Sequence, residues 1–583
     1  MVHALTEQDN RPPAHQIYSD YVYSRSKEGL APELWGRIPH TLGEAADILP
    51  EIRSDYPESP YLDALKRVMK SNMRKMGILT SKASEAIDSL HNGVVEAGQQ
   101  PMLMGGPSLM LNKIAYATVL AGEAGMVPLY YVADYDGVQA ELTNMRLPGP
   151  SSKGLHLSYP VQQSEENLAI YEVGTPDEDW FRKTLEKIDS NFRGILKEVD
   201  AGKRERVEQN LSHAYSIIKS AYYSTDNVSE FSTKIIGSLL NLEADIGTPI
   251  YWFSMPETRP LFIDGYEVLL KEPNRSRFIE ATNAAALKVE SAGYRSQIGL
   301  RGGDYVPFFL ECMNPECSRI RVELRYSREN GSDTATLHGK CPLCEEKYSF
   351  SVKASEPDVT EIINWITPRV DSRQVIVDSV IPIVAHIGGP GETSYYAEVI
   401  PAVKALGLPF PVFMRYTRTF YNTPWNEQMA SGLKNDGIPV ITSDDLFKYL
   451  SRWVEARNNS DSEGLWRAHE GIDRNINSTF NELVCRLSAL ETDVTGIKEK
   501  LREPGDRRPL IEAMRKKQAE AQVLDNYLSW AFGRFSPEKY GQEVNWLWLD
   551  LAAATGVRDL MGAYLRQYNR DTPNSSMFFV NIT

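Results

Sequence analysis

Four cysteines are the first residues whose types and spacing could do chemistry. Cys312 and Cys317 sit in CMNPEC, and Cys341 and Cys344 in CPLC. Two close pairs, each on a tight turn and separated by a strand-like segment, can close a tetrahedral thiolate shell around zinc. An all-cysteine shell leaves no coordination position for water, so the expected role is structural: the metal folds a module too small for its own core. Arg319, Arg321 and Arg325 alternate along RIRVELRYS and so share one strand face. Basic and acidic residues balance across this module, so an exposed strand of mixed charge is expected rather than a nucleic-acid surface. Cys485 lies apart, with no role assigned.

A second set of candidate groups lies in two Gly-Gly-Pro loops, MLMGGPSLMLNK (102–113) and AHIGGPGETSYY (385–396). Glycine lets backbone approach a ligand, and the helix that follows offers free N–H groups to an anion. Two such loops at one sheet edge could cradle phosphates or carboxylates, although either alone is what any tight strand-to-helix turn requires. Lys113 falls two turns into the first helix, and Glu392 adds a carboxylate beside the second loop. Asp134 and Asp136 lie in ADYD, just after a strand.

The elements that must position these groups are legible as periodicity. The run from Val94 to Asp136 reads strand, Gly/Pro loop, helix, strand, a βαβ unit with parallel strands. Asp134 and Asp136 then fall at the carboxyl edge of the sheet, where open α/β sheets hold ligands. QVIVDSVIPIVAHI, GGPGE, TSYYAEVIPAVKALG and LPFPVFMRYT repeat the pattern. Between the units, Phe181, Leu185, Ile188, Phe192, Ile195 and Val199 form one helical stripe. Phe480, Leu483, Leu487, Leu490, Val494, Ile497 and Leu501 form a heptad seam, and Ile511, Met514, Gln518, Ala521, Leu524 and Leu528 continue an apolar face after REPGDRRP. This predicts an antiparallel helical hairpin, either projecting from the core or buried as a bundle pair; the seam would also suit a homodimer.

The expected organisation is α/β. An N-terminal part of a Rossmann-like core spans 1–175, a helical insertion 176–245 and a core continuation 246–310. A zinc ribbon follows at 311–352, the second half of the core at 353–450 and a helical coiled-coil region at 451–583. The chain has 583 residues, 42% hydrophobic and 24% charged, which suits an ordinary globular protein with a large core. A net charge of −15 argues against a general nucleic-acid or anionic-membrane binder. The polar opening MVHALTEQDNRPPAH carries no leader pattern, the most apolar long stretch holds Lys113 and Glu123, and cytoplasm is the expected compartment.

GQQPMLMGGPSLMLNK together with VIPIVAHIGGPGETSYYAEVIPAVKALGLPFP resembles the bacillithiol-biosynthesis cysteine-adding enzyme family, BshC. IYSDYVYS, TPRVDSRQVIVDSVIP with Arg373 and Asp378, and Arg415 after the next strand are similar to further family segments in the same order. The resemblance implies a Rossmann-like core with insertions and a helical coiled-coil domain. It also implies amide formation between cysteine and the amine of glucosaminyl malate, with the carboxylate activated by a nucleotide such as ATP. By position, Gln99, Gln100, Gly105, Gly106, Pro107 and Lys113 would form one wall of the site, and Gly388, Gly389, Gly391, Glu392 and Tyr395 the facing wall. Asp134, Asp136, His386 and Glu392 would supply acid/base or metal-binding groups, and Arg415 would hold anions.

Two departures stand out. Tyr135 occupies the place of a family histidine, and tyrosine, with an ordinary pKa near 10, cannot stand in for an imidazole near neutrality without a large shift. His386 occupies the place of a family tyrosine, which raises an exchange of roles between the two if they face each other. A zinc ribbon also replaces a small insertion. Two other readings compete. A nucleotidyltransferase or aminoacyl-tRNA-synthetase-like protein would share core, ribbon and coiled coil, but AHIGG lies late and KMGILTSKAS early, the reverse of the synthetase order. A non-catalytic ligand-binding homologue would have lost chemistry at Tyr135.

Overall fold

The computed structural model describes residues 29–149, 155–161, 165, 168–425, 461–505, 507–527, 546–573 and 577–582, with isolated positions between 427 and 459. The IYSDYVYS segment and most of 426–460 lie outside the described residues.

Two parallel strands, β1 (Val94–Gln99) and β2 (Val127–Val132), open the core, joined through the helix Leu109–Ala124. That helix ends at Gly125 in the left-handed conformation (φ 67°), which glycine adopts without steric cost. A hairpin, β3 (Asn144–Leu147) and β4 (Leu155–Ser158), leads into the helical insertion, and β5 (Ile250–Trp252) returns to the sheet. Five antiparallel strands then interrupt the core: β6 (Tyr305–Glu311), β7 (Arg321–Arg328), β8 (Thr334–Lys340), β9 (Lys347–Lys353) and β10 (Ile366–Pro368), in the order β10-β6-β7-β8-β9. The cysteine module is therefore the centre of a sheet spanning 305–368, wider than 311–352. The chain re-enters the core with β11 (Ile383–Gly388) and β12 (Val412–Arg415), and β13 (Arg418–Asn422) pairs with β14 (Met577–Asn581).

The central sheet is wholly parallel, ordered β12-β11-β1-β2-β5. β1 and β11 are apolar runs buried almost throughout, as central parallel strands must be. The chain builds outward from β1 through β2 to β5, then jumps to β11 on the other edge of β1. The order thus reverses between β1 and β11, and the crevice at their carboxyl ends is where such sheets bind ligands. Both Gly-Gly-Pro loops leave the sheet there.

Two segments differ from expectation, on either side of one that agrees. RQVIVD within the apolar run before β11 is the short helix Arg373–Asp378, because a short apolar run does not distinguish strand from buried helix. The helices Ser462–Lys500 and Arg508–Tyr527 do pack on one another as a hairpin, with Leu483 and Leu524 buried and Lys517 paired with Asp493 at 2.6 Å. Residues 546–582, read from sequence as part of the coiled-coil region, instead return to the core. There Leu549–Thr555 packs on the helix Ala201–Tyr222, and Val557–Leu565 on Leu109–Ala124. Their apolar residues, Trp548, Leu551, Leu560 and Tyr564 among them, are fully buried, so core burial outweighs continuation of the hairpin.

Candidate functional site

Lys113 and Glu392 bring the two Gly-Gly-Pro loops together. Lys113 is buried, and its Nζ donates to Glu392 Oε2 at 2.7 Å, Glu392 Oε1 at 2.9 Å and the Gly98 carbonyl at 2.7 Å, with Gln99 Oε1 at 3.3 Å. Glu392 sits in the first turn of the helix Pro390–Ala405, and its Oε2 also accepts the Gly389 N–H at 2.6 Å. Burial pushes this carboxyl up, but the Lys113 charge and the neighbouring His386 overcome it and hold it at about 2. Glu392 is therefore ionised and clamped.

His386 on β11 stands beside Glu96 on β1 in the sheet register. Its Nδ1 lies 3.2 Å from Glu96 Oε2, and its Nε2 3.5 Å from Glu392 Oε1. His386 and Glu96 are buried, Glu392 is only partly so, and the imidazole packs against Tyr396 and Phe413. Burial opposes ionisation of Glu96, but His386 and Arg373 outweigh it and hold its pKa down. An imidazole between two carboxylates can hold or pass a proton along the line Glu96–His386–Glu392. Arg373 donates to the Tyr396 hydroxyl at 3.2 Å and lies over the Tyr131 ring; that hydroxyl donates to Gln374, which donates to Asp378. Burial raises the Asp378 carboxyl well above the usual range, against the hydrogen bonds it accepts from Gln374 and Tyr56. Burial also raises the half-exposed Tyr395.

The ADYD loop forms a neighbouring cluster past β2. Asp134 accepts hydrogen bonds from Ser229 Oγ (2.9 Å), Ser254 N–H (3.1 Å) and Ser254 Oγ. Burial lifts it to about 6, against the pull of those serines. Asp136 accepts from Gln100 Nε2 at 2.7 Å and from Arg321 at 2.8 Å. Tyr135 packs on Phe253, and burial raises its hydroxyl above the ordinary range. Tyr135 follows β2 and His386 lies on β11, the strands on either side of β1.

The two glycine loops differ. Gly105 and Gly106 take positive φ (85° and 81°), and their amides bond back to the Met102 and Leu103 carbonyls. Trp548 closes over them, donating its indole N–H to the Met104 carbonyl and its amide to the Gly106 carbonyl. Pro107 bridges to Leu547. This loop is buried scaffold. The second loop is open: Gly391 is exposed at the helix start, and Gly388 lies in register with half-buried Arg415.

So the structure gathers Gln99, Lys113, His386, Gly389 and Glu392 at the crevice, with Gln100 and Asp136 joined beside it. Asp134 faces the insertion, and Gly105, Gly106 and Pro107 sit under Trp548. Sequence reasoning missed Glu96, although a lone glutamate inside the apolar strand VVEAGQ was its signal, since such a charge is buried only when paired. It also missed Arg321. The expectation of an exposed arginine strand is corrected: Arg321 bonds Asp136 and the Tyr135 carbonyl (2.6 Å), and Arg319 bonds buried Glu311 (2.7 Å), while only Arg325 is largely exposed. Strand alternation places side chains on one face but does not say what that face covers.

The four cysteine Sγ atoms lie within 4.8 Å of one another, Cys312 to Cys344 at 3.7 Å and Cys317 to Cys341 at 4.0 Å. A tetrahedral shell with bonds of about 2.3 Å has edges of about 3.8 Å, so this buried cluster has the dimensions to hold a metal ion. Among the described residues no helix is long and apolar enough to cross a membrane.

The family model described as the bacillithiol biosynthesis BshC N-terminal Rossmann-like domain matches residues 13–416. Among similar proteins, one from Halalkalibacterium halodurans is 24% identical, covering 66% of this chain and 68% of its own length. One from Carboxydothermus hydrogenoformans is 23% identical over 76% and 77%. One from Thermus thermophilus is 25% identical over 57% and 58%. Each of these three carries the name "Putative cysteine ligase BshC".

Proposed function

This chain belongs to the BshC family, and from that premise we propose that it is a cysteine ligase. It would join the carboxyl group of cysteine to the amine of an amino-sugar conjugate such as glucosaminyl malate, the last step of bacillithiol synthesis, or to a related acceptor. The observation that carries this reading is the Lys113–Glu392–His386–Glu96 line at the reversal of strand order. Amide formation from a free carboxylate needs that carboxylate activated, and ATP is the proposed co-reactant. Attack of the amine on the activated carbonyl forms the C–N bond, expels the activating group and releases one proton. In this reading His386, set between the Glu96 and Glu392 carboxylates, would take that proton. The open N-terminus of the helix Pro390–Ala405, with Gly389, Gly391 and Arg415, would hold anionic parts of the substrates. Lys113 is fully engaged by Glu392 and acts by positioning it.

We assign the four-cysteine cluster a structural zinc, a pairing of the helical hairpins to a homodimer, and cytoplasm as the compartment. One observation favours a second reading, ligand binding without turnover: Tyr135 is buried against Phe253 and burial raises its hydroxyl, so it supplies no base near neutrality. Mass spectrometry of the zinc-loaded protein with cysteine, glucosaminyl malate and ATP separates the two. Bacillithiol that forms only with ATP supports the ligase. Ligand binding without product supports the second reading.

A further inference from the structure

The cysteine module is not an appendage: two of its residues reach into the core. Arg321 opens β7, four residues past Cys317, and one of its terminal nitrogens donates to both the Tyr135 carbonyl (2.6 Å) and Asp136 Oδ1 (2.8 Å). Its guanidinium also lies over the rings of Phe309, at 5.1 Å, and Tyr135, at 5.7 Å. Glu311, the residue before Cys312, is wholly buried and takes Arg259 at 2.7 and 3.1 Å together with the Tyr171 hydroxyl at 2.7 Å. Tyr171 and Ile170 in turn donate their amides to the carbonyls of Asp134 and Asp136. The loop after β2 is thus gripped from one side by a residue next to a metal-binding cysteine and from the other by a strand that the cluster anchors.

From this geometry we infer that Arg321 is a positioning residue through which the metal-loaded cysteine module sets the Asp134–Asp136 loop beside the crevice. Four thiolates fix the β6–β7 and β8–β9 turns, where the chain enters and leaves the β7–β8 hairpin. Without the metal they have only weak thiol contacts, and a small module loses its fold. Arg321 then loses its anchor, and the loop loses two of its charge-assisted or carbonyl bonds. That the loop borders substrate rests on the ligase reading above; the mechanical link does not.

Hydrogen–deuterium exchange of the full chain tests the link without substrate. R321A should keep one zinc and native exchange across 305–353, yet exchange about tenfold faster in peptides covering 133–138 and 168–173. R321K, which keeps charge but not the planar fork, should fall between. R325A, on the same strand face but paired only with exposed Asp304, should change neither. Chelating the metal from the unaltered protein should speed exchange in the module and in both core peptides; in R321A it should speed the module further and add to exchange only at 168–173, which Glu311 beside Cys312 also holds. If R321A loses zinc, R321M, which keeps the stem on Phe309, carries the comparison. Native exchange at 133–138 and 168–173 in the zinc-retaining variant overturns the inference, as does chelation that loosens the module alone. In the ligase assay the same variant should raise KM for the amine more than it lowers kcat. Absence of product from the unaltered protein would count against the ligase reading and leave the exchange result standing.

Discussion

Lys113 Nζ lies 2.7 and 2.9 Å from the two carboxylate oxygens of Glu392, and this pair ties together the two Gly-Gly-Pro segments that the chain places 283 residues apart. The repeat is therefore asymmetric in use. The first loop delivers a helix whose lysine is buried under it, and the second exposes a helix start whose glutamate turns inward. One supplies the cation that fixes the carboxylate of the other.

Removing one member of that pair leaves the other charge without its partner in the interior. K113M should lower unfolding free energy by about 3–5 kcal/mol, and K113M/E392L should recover a large part of that loss. Urea denaturation of the three proteins measures it. A loss below about 1 kcal/mol in K113M would show the pair to be solvated.

Acid should find the same pair. Glu392 titrates at about 2 in the fold, against an ordinary 4.5. Because the folded value is the lower, the stabilisation is complete above 4.5 and is lost as pH falls from there toward 2. It amounts to about 3 kcal/mol. Stability measured against pH for the unaltered protein and E392Q should converge over that window. Parallel curves would contradict the assignment.

Asp134 should behave in the opposite sense. Its folded value, about 6, lies above the ordinary 3.8 because burial disfavours the anion. Its favourable contribution is complete below 3.8 and declines as pH rises through 6. Relative to D134N, the unaltered protein should lose about 3 kcal/mol between pH 4 and 7. If Asp134 must be ionised to act, kcat/KM should also rise with an apparent pKa near 6, and D134N should abolish that limb.

How much of this was readable beforehand depends on the range of each interaction. The βαβ units, the helix stripe from Phe181 as far as Ile195 and the cysteine spacing are local patterns, and the folded elements follow them, while Val199 lies past the helix end. Glu96 was visible as an anomaly, a charge inside an apolar strand, but its partner His386 comes from a strand 290 residues later and only the sheet order brings them together. Arg321 was visible as one of three alternating arginines. Which of the three faces the core depends on how an inserted sheet docks, and no spacing encodes that. Trp548 over the first glycine loop is the same case at longer range: one of two tryptophans in NWLWLD, a segment that read as part of a helical tail.

The glycines of the second loop offer a matched pair that separates sterics from chemistry. A methyl group on Gly388 would lie 2.6 Å from two carbons of the Phe413 ring and 2.9 Å from Glu392 Cβ. Phe413 is buried against His386, so it has no free space to yield into. G388A should therefore push the ring and the first helical turn apart, costing about 1–3 kcal/mol and displacing Glu392 from Lys113. Gly391, three residues later, has open space around its missing Cβ, and G391A should change stability by no more than about 0.5 kcal/mol. If the exposed helix start binds an anion, G391A should nonetheless weaken substrate binding, because the methyl group occupies the approach to the backbone amides. Thermal unfolding and KM measured on both variants resolve this. A stable G388A with native kinetics would mean the loop is looser than its packing indicates. A G391A protein with unchanged KM would move the anion site away from this helix start and toward Arg415.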